Sequence, residues 1–308
     1  MANAELEVPQ ALKGWILMPP NFILAAIAVF GLLIGSFLNV VIYRLPRKCL
    51  SVWRTARSVC PRCGVQLRWF DNVPVLSWVL LLRGRCHGCG DRISWRYPFN
   101  ELLVGLVFCG FAICDLPFET GGSGVVWPDE GWALLAVHCF VFSVLLALSW
   151  IDLDHRILPD ALTLPGIVVA PILCGLVPES MPSPIIGPFD SMLGLPADNV
   201  TAVLNGIVGA VVAGGGLWLI GWLGSRAFGK PAMGMGDVKL FAAMGGLLGL
   251  WSGLALLLAC LVGSIVGIGV LLVSRERYVP FGPFLAVGMM VTWFFGPDLY
   301  RSFLLGMN

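Results

Sequence analysis

Residues 203–223 read VLNGIVGAVVAGGGLWLIGWL, twenty-one residues in which, two indoles apart, Asn205 carries the only polar side chain. A helix of that length rises about 30 Å, the thickness of a bilayer's hydrocarbon core. A buried helix of a soluble domain would keep a polar face at helical spacing, and this stretch has none. It therefore marks a membrane span. Comparable runs flank it on both sides, at 22–43, 99–115, 132–151, 161–177, 201–223, 238–255, 256–274 and 281–297. The expected fold is thus an all-α polytopic membrane protein of about eight transmembrane helices. Composition agrees: of 308 residues, 58% are hydrophobic and 12% charged, and mean hydropathy is +0.88.

Basic residues collect in cytoplasmic loops, so their placement predicts orientation. Eleven of the 19 Lys and Arg lie between Arg44 and Arg96, which sets that loop inside and the N-terminus outside. Loops 116–131 and 178–200 then fall outside. They carry Glu119, Asp129, Glu130, Glu179, Asp190 and Asp198 and no basic residue, whereas Arg156, Arg226, Lys230, Arg275 and Arg277 mark the inside loops. No cleaved signal is expected, because the residues before the first span are mostly neutral or acidic. A net charge of +1 argues against nucleic acid as a partner, although the basic loop suits anionic lipid head groups.

Three regions are expected: 1–43 with the first span, a cytoplasmic domain at 44–98, and a membrane-embedded domain at 99–308. About fifty residues build a weak core unaided. Cys60-Pro61-Arg62-Cys63 and Cys86-His87-Gly88-Cys89 offer a staple, since each pair places two thiolates at chelating distance, the pattern of a structural zinc site. A cytoplasmic location disfavours disulfides, and a redox pair normally comes as one such motif on a thioredoxin-like unit. His87 is an alternative ligand that is expected to point outward instead. Cys49, Cys109, Cys114, Cys139, Cys174 and Cys260 read as small apolar residues. Glycines at 206, 209, 214–216, 245, 246 and 249 allow close helix packing, and the proline-rich 178–200 stretch reads as an irregular loop.

Acidic groups at the ends of membrane helices are costly and mark candidate functional sites. The charge-based topology brings two to one cytoplasmic depth: Asp152, with Asp154 and Asp160 nearby, and Asp237 in Gly234-Met235-Gly236-Asp237. Taken singly, either carboxylate reads as a helix cap or an interfacial anchor. As a pair they supply an acid and a base for peptide hydrolysis, because two neighbouring carboxyls hold one proton between them. His138 lies mid-span and reads as a buried, hydrogen-bonded histidine. His155 has no positioned serine or cysteine nucleophile to serve.

Several motifs together, in order across roughly 30–290, closely resemble the type IV prepilin peptidases. They are Gly35-Ser36-Phe37-Leu38-Asn39 with Tyr43-Arg44-Leu45-Pro46, the paired Cys-x-x-Cys, Arg96-Tyr97-Pro98-Phe99-Asn100-Glu101, the Asp152 segment, the Gly-x-Gly-Asp at 234–237 and Pro280-Phe281-Gly282-Pro283. The resemblance implies a bacterial inner-membrane aspartic endopeptidase with Asp152 and Asp237 in the catalytic positions. Its implied substrates are prepilins of type IV pili or pseudopilins of type II secretion. Their basic leader is cut after a glycine on the cytoplasmic side, and the new N-terminus is N-methylated from S-adenosylmethionine. No S-adenosylmethionine motif is recognisable, so the methyl transfer rests on the resemblance alone. Glu101 and Asp154 are candidates for attracting the basic leader.

Other classes predict other features. A proton- or cation-coupled transporter would carry its aspartates near mid-membrane in broken helices. A scaffold would act through the cysteine loop alone. A signal-peptide-peptidase-like protease would share Gly-x-Gly-Asp but carry a Tyr-Asp partner motif and no cysteine loop.

Overall fold

Each of the eight apolar runs is helical. In the computed structural model they form α1 (Pro20–Arg44), α2 (Arg96–Asp115), α3 (Gly131–His155), α4 (Asp160–Leu176), α5 (Asn199–Phe228), α6 (Met235–Leu248), α7 (Ser252–Ser274) and α8 (Gly282–Leu304). The structure describes residues 20–47, 59–60, 62–116, 119–121, 124–126, 131–182, 199–274 and 279–304. The expectations for the segment before residue 20, for Cys49, for 183–198 and for Arg275 and Arg277 lie outside the described residues. An antiparallel pair, β1 (Glu119–Gly121) and β2 (Gly124–Val126), joins Glu119 to Val126. Five described stretches are long and apolar enough to cross a membrane: Asn21–Arg44, Arg96–Asp115, Gly131–His155, Asn199–Phe228, and Met235–Val273, which holds α6 and α7. Helix α4 is apolar but shorter.

Helices α5 and α8 run on past their expected ends, to Phe228 and Leu304, and one boundary is cut short. The sixth span ends at Leu248 rather than 255, because Gly249 adopts φ 59° and ψ −138° and starts a 3-10 turn running to Trp251. That backbone region is essentially reserved for glycine. A Cβ at residue 249 would also lie 2.8 Å from Asn205 Oδ1, so the break is held by packing on α5 as well. Helix α6 is left with 14 residues.

Two compact units share the chain, 1–41 with 52–139 and 42–51 with 140–308. In the first, α1 and α2 cross along a stripe of small residues. A Cβ on Gly31 would lie 2.8 Å from the Gly105 Cα, and one on Gly35 would lie 2.7 Å from the Glu101 Cα. One turn further on, Asn39 Nδ2 donates to the Tyr97 carbonyl at 3.2 Å, and Asn100 Nδ2 donates to Asn39 Oδ1 at 2.9 Å. The rungs 31–105, 35–101 and 39–97 each advance by four residues, as one face of each helix requires. Lipid gives no hydrophobic drive between helices, so close backbone contact holds them, with interhelical hydrogen bonds averaging about 0.6 kcal/mol.

In the second unit α4, α5 and α6 pack together by the same means. A Cβ on Gly206 would come 2.7 Å from the Gly246 carbonyl, and one on Gly214 would meet the Ala242 Cβ at 2.7 Å. Cys174 on α4 donates its thiol to the Gly246 carbonyl at 3.3 Å. Gly215 and Gly216 face away, with nothing within 4 Å of where a Cβ would stand, so only part of the glycine run serves packing. Helix α8 packs on α7 through Gly288, whose Cβ would clash with the Ala255 carbonyl.

Candidate active site and metal centre

The four cysteines of the paired motifs come together within the first unit. Their sulfurs all lie within 4.8 Å of one another. Cys63 Sγ and Cys86 Sγ are 3.9 Å apart, close to the roughly 3.8 Å edge of a tetrahedron built on Zn–S bonds of about 2.3 Å. Each pair sits on a turn of one design. Gly64 N–H donates to the Cys60 carbonyl and Gly90 N–H to the Cys86 carbonyl, both at 2.9 Å, with the two glycines at φ 69° and 71°. Each turn is closed by an isolated antiparallel bridge, Val59 to Gln66 and Arg85 to Arg92. The motif-flanking glycines are the signal a closer sequence reading would have used, since only glycine enters that backbone region freely. Backbone N–H groups of Cys63, chiefly, and of Arg62 pull the Cys60 thiol down to about 7, although burial opposes them. Against the pull of the Val65 N–H, burial and the three other thiols push Cys63 up to about 11, so full deprotonation of the cluster calls for a cation among the sulfurs. The donor set and spacing thus fit a tetrahedral thiolate-bound ion. His87 is not part of the cluster: its Nδ1 lies 3.1 Å from Asp71 Oδ2.

In the second unit, Asp152 occupies the last turn of α3 and is 5% exposed. Its Oδ2 accepts the backbone N–H of Gly282, the first residue of α8, at 3.0 Å. A helix N-terminus presents unpaired N–H groups and a partial positive charge, so it receives a carboxylate well. Glycine at 282 leaves the carboxylate its place: a Cβ there would stand 2.7 Å from Asp152 Oδ2 and displace it. The Pro-Phe-Gly-Pro motif enters the sequence reading only as part of a resemblance, and this positioning role is what that reading missed. A glycine bracketed by Pro280 and Pro283 at the start of a span, with Pro283 in its first turn, is the available signal.

Asp237 is the third residue of α6, after a Gly234 N-cap that makes no side-chain cap bond. It is half-buried, and the charge of Asp152 acts on it electrostatically. Leu158, in the link from α3 to α4, lies between the two acids' supports. A Cβ on Gly236 would be 2.9 Å from the Leu158 Cβ, and one on Gly282 would be 3.4 Å from its Cδ2. Two glycines thus let one leucine wedge both helix starts beside the carboxyls. The arrangement unites in one unit two aspartates 85 positions apart in the chain, one buried and one half-exposed.

The neighbouring acids take other places. Asp154, on the opposite side of the α3 end, is exposed. Asp160 begins α4 and accepts Lys239 Nζ at 2.7 Å, a largely exposed pair of the kind worth under about 1 kcal/mol. Glu101 is buried and accepts the Val75 backbone N–H at 2.8 Å, so its carboxylate is engaged within the protein. His138 gains the partner that its sequence position does not reveal, with Nδ1 2.7 Å from Asp115 Oδ2 at the end of α2.

Residues 29–114 match the bacterial peptidase A24 N-terminal domain, and residues 139–268 match the type IV leader peptidase family. The chain is 36% identical to a prepilin leader peptidase/N-methyltransferase of Aeromonas salmonicida (strain A449), over 92% of this chain and 95% of the relative. It is 35% identical to a protein of the same name from Pseudomonas putida, over 94% and 96%, and 37% identical to one from Dickeya chrysanthemi, over 87% and 91%. No solved structure is similar enough to count as a match.

Proposed function

The chain belongs to the type IV leader peptidase family, and from that premise we propose that it cuts the leader from type IV prepilins or type II secretion pseudopilins with Asp152 and Asp237 as the catalytic pair. The observation that carries the proposal is the union of a buried and a half-buried aspartate at the ends of two helices of one unit, each beside a glycine that a methyl group would crowd. Hydrolysis by such a pair balances simply. One carboxylate takes a proton from water as the oxygen attacks the scissile carbonyl carbon. The other carboxyl, protonated, gives its proton to the substrate, and the C–N bond breaks to release an amine and an acid. The Gly282 N–H keeps Asp152 in place through this exchange.

All eight helices cross the bilayer in this reading, of a bacterial inner membrane, with the acids at the cytoplasmic face. Membrane crossing is supported by the five long apolar stretches, and the orientation by the acidic and basic loops. The chain is read as the 1–43 segment, the 44–98 domain and the 99–308 peptidase domain. A zinc ion held by Cys60, Cys63, Cys86 and Cys89 would leave no open position, which makes it structural. It supplies cross-linking rather than chemistry. The relatives' names support a second step, N-methylation of the freed N-terminus from S-adenosylmethionine. No residue is assigned to the methyl donor.

The deciding experiment is prepilin cleavage by purified Asp152→Asn and Asp237→Asn proteins in liposomes, with zinc content and thermal unfolding checked. Turnover in either folded variant within a few-fold of the parent would refute the pair.

A further inference from the structure

Between the two cysteine turns, a single π-turn over Ser77–Leu81 and the Leu76 that precedes it expose four apolar side chains. Leu76, Val79, Leu80 and Leu81 are 56%, 50%, 64% and 57% exposed, whereas Ser77 is buried and Trp78 turns inward, its Nε1–H donating to the Ile93 carbonyl at 3.2 Å. A small domain surrounded by water does not leave four large apolar side chains uncovered within six residues without a partner. The hydrogen bond from Val75 N–H to Glu101 Oε2 sets the level of this turn. Helix α2 is 20 residues long, so it rises about 30 Å, the full hydrocarbon thickness, and Glu101 lies about 7.5 Å along it from Arg96. Even allowing for the lean of a helical side chain toward its N-terminus, Val75 is level with the first turns of α2. There Phe99 and Leu102 are themselves 41% and 46% exposed.

We infer that the Leu76–Leu81 turn is inserted into the same leaflet that α2 enters, as an interfacial anchor beneath the cysteine-rich lobe. The partner is lipid, because the exposed apolar turn is level with the first turns of a span, within the depth, about 5–10 Å, that interfacial elements reach. Charge complements it. Arg83 and Arg85 follow the turn at once and are exposed, and Arg85 pairs across its bridge with Arg92, which places both side chains on one side of the ribbon for anionic head groups. The inference rests on α2 crossing the bilayer, part of the function proposed above.

The test uses the full chain in liposomes of phosphatidylethanolamine and phosphatidylglycerol, with p-benzoylphenylalanine in place of Leu80, Leu106 or Gln66. Leu106 lies mid-way along α2 and is 70% exposed, and Gln66 is an exposed position of the cysteine lobe. After irradiation, mass spectrometry should find acyl-chain adducts at position 80 several-fold above those at 66 and comparable to those at 106. Adducts at 106 but not 80 overturn the anchor and leave the span standing. Adducts at neither remove the spanning premise. Capture at 80 of a second copy of the chain, or of added prepilin, instead of lipid also overturns it. Val79 serves as the alternative probe position if the Leu80 variant loses its zinc.

Discussion

Gly282 and Asp152 are 130 residues apart in the chain, yet the N–H of one rests 3.0 Å from a carboxylate oxygen of the other, and no side chain larger than hydrogen fits between them. Gly282→Ala should therefore push Asp152 aside while α8 still forms. A displacement near 1 Å costs about 100-fold in rate, with about 1–3 kcal/mol of stability lost to overpacking. Prepilin cleavage compared with thermal unfolding in detergent separates the two effects. A variant with parental kcat would show that Asp152 needs no such support.

Asp154→Asn and Asp160→Asn should keep most of the parental cleavage. Asp154 is exposed on the far side of the α3 end, and Asp160 is occupied by Lys239 at the surface. Losing that exposed pair costs under about 1 kcal/mol. Rates measured beside the Asp152→Asn and Asp237→Asn proteins check this. Inactivity of either control, with folding intact, would shift the acid–base role to it.

A pair sharing one proton works only while singly protonated, so the cleavage rate should fall on both sides of an optimum. Below it both carboxyls are neutral and no base remains; above it both are ionised and no acid remains. A rate–pH profile with two limbs is expected. A single limb would mean that one carboxyl titrates alone or takes no part.

One zinc per chain is expected by elemental analysis, and Cys86→Ser should lose it. Each sulfur has to shed its proton to bind, so affinity falls as pH falls, and acidification with a chelator should strip the ion. The lobe between the turns should then become open to protease while the 140–304 helices resist. Metal-free protein with a protease-resistant lobe would exclude the structural role.

Gly35→Ala should weaken the α1–α2 crossing, since its methyl group would meet the Glu101 backbone at 2.7 Å. Overpacking of this kind costs about 1–3 kcal/mol. Gly216→Ala, where nothing lies within 4 Å, is the matched control and should unfold with the parent. Equal thermal midpoints for all three proteins would contradict the close crossing.

What sequence reveals here depends on range. Apolar runs near twenty residues long announce helices, and the spacing of Cys60, Cys63, Cys86 and Cys89 announces a cluster, because both patterns are local. The α6–α7 break is expected but misplaced, at 255 instead of 248, since residues 240–273 carry no charge and hydropathy does not register the backbone angle of Gly249. Partners brought together by folding are hidden. Asp115 and His138 stand on either side of a loop, and Glu101 reads as an interfacial acid until Val75 is seen to occupy it. The aspartates are an intermediate case: charge bias puts them at one depth, but only the packing of Leu158 against Gly236 and Gly282 explains how they are held.

The brevity of α6 bears on how a lipid-buried enzyme obtains its second reactant. Fourteen residues rise about 21 Å, some 9 Å short of a hydrocarbon layer of about 30 Å. A helix that short draws the bilayer thin around it or leaves a hydrated dimple at one end. On the proposed function, a dimple at the Asp237 end would open on the carboxyls, so that solvent and an extended polar leader would arrive together and the substrate's greasy stem would never have to leave the fatty phase to be cut.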